Sequence, residues 1–128
     1  MEARTVTTDV DVAAVGFKAY GRITDYWGLA NDQAAELIDT APRTYARGKA
    51  GGALKSITKD QTLRLSAIVG IYKALGLLFD DALASAWVSR PNTGPLFHGA
   101  RPIDVMIDGG LPKILKVRNY LDALRGGV

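Results

Sequence analysis

The sequence predicts an all-α protein: an N-terminal helix-turn-helix unit followed by a small C-terminal helical bundle. Three observations carry this reading. Apolar residues recur at spacings of three and four in successive stretches, the period of a helix face. No stretch keeps the two-residue alternation of a half-buried strand. Between the stretches stand helix starters (Asp, Asn, Thr) and helix stoppers (Gly, Pro).

The first helix starts near Asp9, with Asp9 or Asp11 as cap, and turns Val12, Val15, Ala19 and Ile23 inward. Lys18 and Arg22 lie between them, and Trp27-Gly28 ends the helix. A short second helix takes Asn31 as its N-cap and buries Ala34, Leu37 and Ile38. After the turn at Asp39-Thr40-Ala41, Pro42 opens a third helix running to about Lys49; a proline at this position loses no hydrogen bond. Two helices joined by a tight turn in about twenty residues form the helix-turn-helix layout.

A Gly/Lys-rich connector leads to the longest helix, whose capping box is Thr58 with Gln61 and whose stripe is Leu65, Ile68, Tyr72, Leu75 and Phe79. Asp80 caps a short helix with Leu83 and Trp87 on one face. Pro91 then ends that helix by restricting Arg90, Asn92 turns the chain through its amide, and Leu96 and Phe97 plug the loop onto the core. Gly99 permits a further turn, and Pro102 starts a one- to two-turn helix closed by Gly109-Gly110. Pro112 begins the last helix, with Ile114, Val117, Leu121 and Leu124 inward and Lys113, Lys116 and Arg118 outward. Arg125 suits its last turn and Gly126 stops it. The expected division is residues 1–56 and 57–128, two units small enough to need a shared core or a partner.

Composition narrows the function. The 128 residues are 48% hydrophobic and 23% charged, enough for a packed core without staples. Cysteine is absent, which excludes disulfides and thiolate metal sites and agrees with a reducing cytoplasm. No apolar run is long enough to span a bilayer and no secretory leader begins the chain, so a soluble cytoplasmic protein without a membrane partner is expected. A net charge of +3 permits a nucleic-acid partner without demanding one.

Chemistry is tested by elimination. His98 is the single histidine, and neither a Ser-His-Asp set, a P-loop nor a dinucleotide fingerprint occurs. Asp80-Asp81 reads as a helix start. No catalytic residue, metal ligand or cofactor site is assigned, and an enzyme is not expected. The third helix instead carries Arg43, Thr44, Tyr45, Arg47 and Lys49, a cationic cluster where a recognition helix meets DNA. Two helices packed at an angle also build a small domain with no DNA at all, and spacing alone leaves both readings open.

The ordered set Trp87, Pro91, Asn92, Phe97, Gly99, Pro102, Gly109 and the ending Leu121 to Gly126 resembles the toxin-binding domain of Xre/MbcA/ParS-type antitoxins. The resemblance covers roughly Leu63 to Val128, and the stretch "LIDTAPRTYARGKAG" is similar to the helix-turn-helix that precedes this domain. Gly48 stands where the family often has tryptophan, and Ala41 where it has a serine-type cap. The resemblance implies the antidote of a type II toxin–antitoxin pair. Its partner would be a RES-domain toxin with an ADP-ribosyltransferase-like fold that consumes or transfers from NAD+. Neutralisation would come from obstruction of the NAD+ cleft by the antitoxin's C-terminal region. A working helix-turn-helix would also repress the operon, as a homodimer or in a hetero-oligomer with the toxin.

On that view Arg118, Asp122, Arg125, Gly126, Gly127 and Val128 are the toxin-binding residues. The Val128 carboxylate would replace a pyrophosphate, and the cations of the last helix would meet acidic surface at the entrance. The alternative is a stand-alone helix-turn-helix regulator, whose operator affinity would fall steeply with salt.

Overall fold

Helix boundaries in this chain are set by a few capping side chains and by glycine. The computed structural model describes residues 16–51 and 57–126. Its elements are α1 (described over 16–26), α2 (Asn31–Leu37), α3 (Pro42–Lys49), α4 (Lys59–Leu78), α5 (Asp81–Ala86) with a 3-10 turn (Trp87–Ser89), and α6 (Pro102–Gly126). No strand occurs among the described residues, and no helix there is long and apolar enough to cross a membrane.

Gly28 ends α1 as expected, at φ +71°, a conformation open to glycine. The inward face of α1 differs from expectation. Asp9, Asp11, Val12 and Val15 lie outside the described residues, Ala19 is half-buried, and the core takes Phe17, Tyr20, Ile23, Thr24 and Trp27. Aromatic rings remove far more area from water than one alanine methyl, and the helix turns accordingly. In α2 the N-cap is Ala30, not Asn31. Alanine has no side-chain acceptor, but the Ala30 N–H donates to Gln33 Oε1 at 3.0 Å and satisfies one end of the motif. Ala34, Leu37 and Ile38 are buried.

The α4 capping box forms in both directions: Gln61 N–H donates to Thr58 Oγ1, and Thr58 N–H to Gln61 Oε1, each at 3.0 Å. Leu65, Ile68 and Leu75 are buried, but Tyr72 is exposed and Phe79 only half-buried. Ile71 and Ala74 fill the core in their place. The reason is that α4 is packed on more than one side, against α6, α5 and, at Leu65, against α1. Asp80 caps α5 by accepting from Leu83 N–H at 2.9 Å. Leu83 and Trp87 do not share one environment: Leu83 is exposed and Trp87 half-buried, while Ala84 and Val88, also four residues apart, form the fully inward face.

Within α6, Gly110 (φ +65°, ψ −157°) breaks the helix into 102–109 and a final segment from 111, as the glycine pair predicts. Ile114, Val117 and Leu121 are fully buried, but Leu124, one turn further on, is 53% exposed. The buried side chains of the N-terminal helices and of α4, α5 and α6 join in one hydrophobic cluster. Among the helices described over their full length, α4 and α6 make the most extensive pairing.

Candidate functional site

Two surfaces collect the candidate side chains: the outer face of α3, and α6 with the loop before it. The first begins at the turn between α2 and α3. Asp39 takes φ +54°, and α4 holds this turn from outside, Gln61 Nε2 donating to Asp39 O at 2.8 Å and Arg64 Nη1 to Leu37 O at 3.3 Å. Pro42 occupies the first turn of α3 as expected, while Ala41 makes no side-chain cap bond. Neither Gln61 nor Arg64 is marked out by the sequence pattern for this bracing, because its acceptors are backbone carbonyls.

Of the residues assigned to DNA, the structure keeps Arg43, Thr44 and Arg47 exposed on α3, with neither arginine ion-paired among the described residues. Tyr45 is a correction: it is fully buried, edge-to-face on Tyr20 at 5.8 Å. Its hydroxyl lies 2.9 Å from Thr24 Oγ1, and because Thr24 donates to Gly21 O, Tyr45 is the donor between them. Tyr20 in turn donates to Ala34 O at 2.7 Å, so two phenols tie the three N-terminal helices together. Lys49 is half-buried and ion-paired. Its ammonium is held by Asp25 at 2.6 Å, and this bond raises its pKa. An α3 of only eight residues has one face for α1, and Tyr45 and Lys49 fall on it.

The loop before α6 is closed by Asn92. Its side-chain oxygen accepts from Gly94 N–H at 2.7 Å, its own N–H donates to Ala100 O at 3.0 Å, and its carbonyl accepts from Gly99 N–H at 2.8 Å. Gly99 takes φ +89°. Phe97 is the plug, 2% exposed, with Trp87 and Tyr120 edge-to-face at 5.5 and 5.9 Å. Leu96 and Trp87 are half-buried at its rim. Pro102 is buried at the start of α6. Gly109 permits close approach, since a Cβ there would stand 2.5 Å from Lys113 Cβ.

The exposed end of α6 differs in part from expectation. Arg118 does not reach freely outward. Its guanidinium lies across α4, so close that a Cβ on Gly70 would be 2.5 Å from Nε. The sequence signal for this seat is Gly70, one of two glycines inside α4. Asp122 lies between Arg118 (3.7 Å) and Arg125 (3.5 Å), a partly exposed trio whose net stabilisation is on the order of 0–1 kcal/mol per pair. Gly126 is exposed, and Gly127 and Val128 lie outside the described residues. No cluster of acidic, histidine or cysteine side chains suited to a metal occurs among the described residues.

One titration reports on the joint between α1 and α5. The Tyr26 hydroxyl donates to Asp81 Oδ1 at 2.6 Å, and this bond, with some desolvation, pushes its pKa up to about 12. A raised phenol pKa stabilises the fold fully below the unfolded value of about 10, and that stability is lost as pH rises toward 12. Ultraviolet titration is expected to show a late-ionising tyrosine that moves back toward about 10 in Asp81→Asn.

Comparison with known proteins agrees with this anatomy. The antitoxin Xre-like helix-turn-helix domain matches residues 8–70, and the antitoxin Xre/MbcA/ParS C-terminal toxin-binding domain matches residues 74–127. The uncharacterized protein y4oB of Sinorhizobium fredii is 41% identical over 113 residues, covering 86% of this chain and 84% of that protein. The mycobacterial cidal antitoxin MbcA of Mycobacterium tuberculosis is 28% identical over 101 residues, covering 79% of this chain and 83% of its own. The crystal structure of the M. tuberculosis MbcT–MbcA toxin–antitoxin complex contains a chain of similar fold. Its TM-score is 0.58 at 22% identity, covering 88% of this chain and 95% of that one. With a helix-turn-helix held by Tyr20 and Tyr45, and an Asn92–Phe97 platform under α6, in the regions the two domain models match, the chain belongs to the Xre/MbcA/ParS antitoxin family.

Proposed function

We propose that this antitoxin neutralises a RES-domain toxin by laying the end of α6 into the toxin's NAD+ cleft, and that it represses its own operon through α3. The observation that carries the first part is the exposed last turn of α6. Leu124 continues the line of Ile114, Val117 and Leu121 yet is 53% exposed, and Arg125 stands beside it. An exposed apolar side chain next to a cation and a short glycine-rich end suits insertion into another protein. Buried apolar contact would hold the complex, and charge would speed its formation. The carboxylate of Val128 is the group proposed to stand in for a pyrophosphate. Arg118 and Asp122 serve by fixing the helix that carries this end, with Gly126 and Gly127 as the two residues that join it to Val128.

In this reading residues 57–128 hold the toxin and residues 1–56 hold DNA. The chain works in the cytoplasm, without catalysis or cofactor, as a homodimer or in a hetero-oligomer with the toxin. Deleting Asp122 to Val128, with Leu121 and the core kept, is expected to abolish protection of cells expressing the toxin encoded by the adjacent gene. Full protection by the truncated, folded chain would overturn the tail mechanism.

A stand-alone regulator is the second reading, favoured by one observation: Arg43 and Arg47 are exposed one turn apart on the same face. Arg43→Ala with Arg47→Ala is expected to abolish operator binding and its salt dependence, while co-purification with the toxin persists. A regulator alone predicts no such complex.

A further inference from the structure

The outer face of α3 carries two arginines and otherwise only methyl groups. Tyr45 and Gly48 are the buried residues of this helix, while Arg43, Ala46 and Arg47 are exposed, as is Ala50 at its C-terminal cap. At about 100° per residue, Arg43 points straight away from the buried pair. Ala50 and Arg47 then lie within about 40° of Arg43, one on either hand, and Ala46 about 60° to the side of Ala50. Thr44, also exposed, stands at the edge of the face. The helix has no acidic residue, and neither arginine is ion-paired among the described residues. Its other cation, Lys49, is committed to Asp25.

This layout decides between bases and phosphates as what the arginines meet. Phosphates flank the major groove, and a side chain pointing straight out from a seated helix faces the base edges between them. Ala46 and Ala50 project only a methyl each, so no bulky neighbour holds the helix off those edges. Guanine is the base that offers two acceptors, O6 and N7, to the fork of N–H groups on an arginine. Arg43 and Arg47 stand about 6 Å apart along the helix, close to the length of two base steps at about 3.4 Å each. The Ala46 methyl, low on the same face, suits the base that carries a methyl group on its major-groove edge, thymine. Thr44, at the rim, is placed for a phosphate.

We propose that α3 reads two guanines about two base steps apart, one through Arg43 and one through Arg47, with a thymine beside them against the Ala46 methyl. This base choice rests on the operator reading of α3 given above, and it can fail while that reading stands.

Selection from a random-sequence duplex pool by the full chain, followed by single-atom changes in the selected duplex, tests it. The selected sites are expected to share two guanines at this separation and a thymine next to them. Exchanging one guanine for 7-deazaguanine removes N7 alone. For the unaltered chain it is expected to weaken binding about fivefold, read by fluorescence anisotropy at one fixed salt concentration. Arg43→Ala and Arg47→Ala each bind the intact site more weakly, and each is expected to be indifferent to 7-deazaguanine at one of the two positions, a different one for each variant. Deoxyuridine in place of the thymine removes only the methyl. The expected loss is about fourfold for the unaltered chain and none for Ala46→Gly. Each comparison sets two duplexes against one folded variant, so a general loss of stability cannot imitate the pattern. Selected duplexes without shared guanines overturn the base choice alone, as does a 7-deazaguanine loss that persists at both positions in both arginine variants. Equal binding of the deoxyuridine and thymine duplexes by the unaltered chain overturns the Ala46 contact. Retention of no duplex at all overturns the base choice and the operator reading together.

Discussion

Phe97→Ala is expected to cost about 3–5 kcal/mol of folding stability, read by urea denaturation, the usual range for truncating a buried phenylalanine. Set against a total of about 5–15 kcal/mol for a domain of this size, that is a large share. The ring is 2% exposed and meets two other rings at edge-to-face geometry, Trp87 before the loop and Tyr120 on α6. Such contacts contribute about 0.5–1.5 kcal/mol each beyond area burial. Phe97→Leu keeps most of the volume and loses both ring contacts, so its cost should fall between wild type and Ala. The loss should not be confined to the loop, because Tyr120 stands one residue before Leu121 in the core and two before Asp122. A truncation cost under about 1 kcal/mol would mean that the loop rests on α6 without holding it.

The same loop shows what the sequence made legible. Asn92, Gly99, Pro102 and the Gly109-Gly110 pair are each bound by local rules: a side-chain turn, a positive φ, a helix start, a stop. Local rules can be read from a string. The capping box at Thr58 and the cap at Asp80 were legible for the same reason. What sequence periodicity could not show is which face of a helix meets a second neighbour. Tyr45 sits among cations at recognition-helix spacing, and only the packing of α1 against α3 turns it inward. Tyr72 fits a helical stripe as well as Ile71 does, but the sides on which α6 and α5 approach α4 decide between them. Leu124 fails in the opposite sense: its spacing is that of a core residue, and nothing in a spacing records that the last turn stands exposed. Arg118 combines both limits, reading as an outward cation until Gly70 on another helix supplies its seat.

Gly110→Ala is expected to destabilise the fold by about 1–3 kcal/mol, the cost of forcing a side chain into a backbone region almost reserved for glycine. At φ +65° and ψ −157°, Gly110 occupies such a region, and a Cβ there would also come within 3.4 Å of Arg64 Nη2. That guanidinium is engaged with Asp60 at 2.6 Å and with the Leu37 carbonyl, so it has little freedom to withdraw. Chirality tests the two causes together, because the Cβ of a D-residue avoids both the strained conformation and the side that faces Arg64. The mirror image of this backbone, near φ −65° and ψ +157°, is an ordinary extended conformation for an L-residue. D-Alanine placed at 110 by chemical synthesis therefore adopts it without strain, and is expected to recover most of the stability that L-alanine loses. Gly109→Ala should behave differently, because its obstacle is Lys113 Cβ at 2.5 Å, the root of a side chain that cannot swing aside. Lys113→Gly removes that atom and should rescue Gly109→Ala but not Gly110→Ala, while Lys113→Ala, which keeps it, should rescue neither. If thermal unfolding shows L-alanine at 110 as stable as glycine, the direction of the last helix is not set by this break. The bend that aims its exposed end would then have to come from Phe97 and Tyr120 alone.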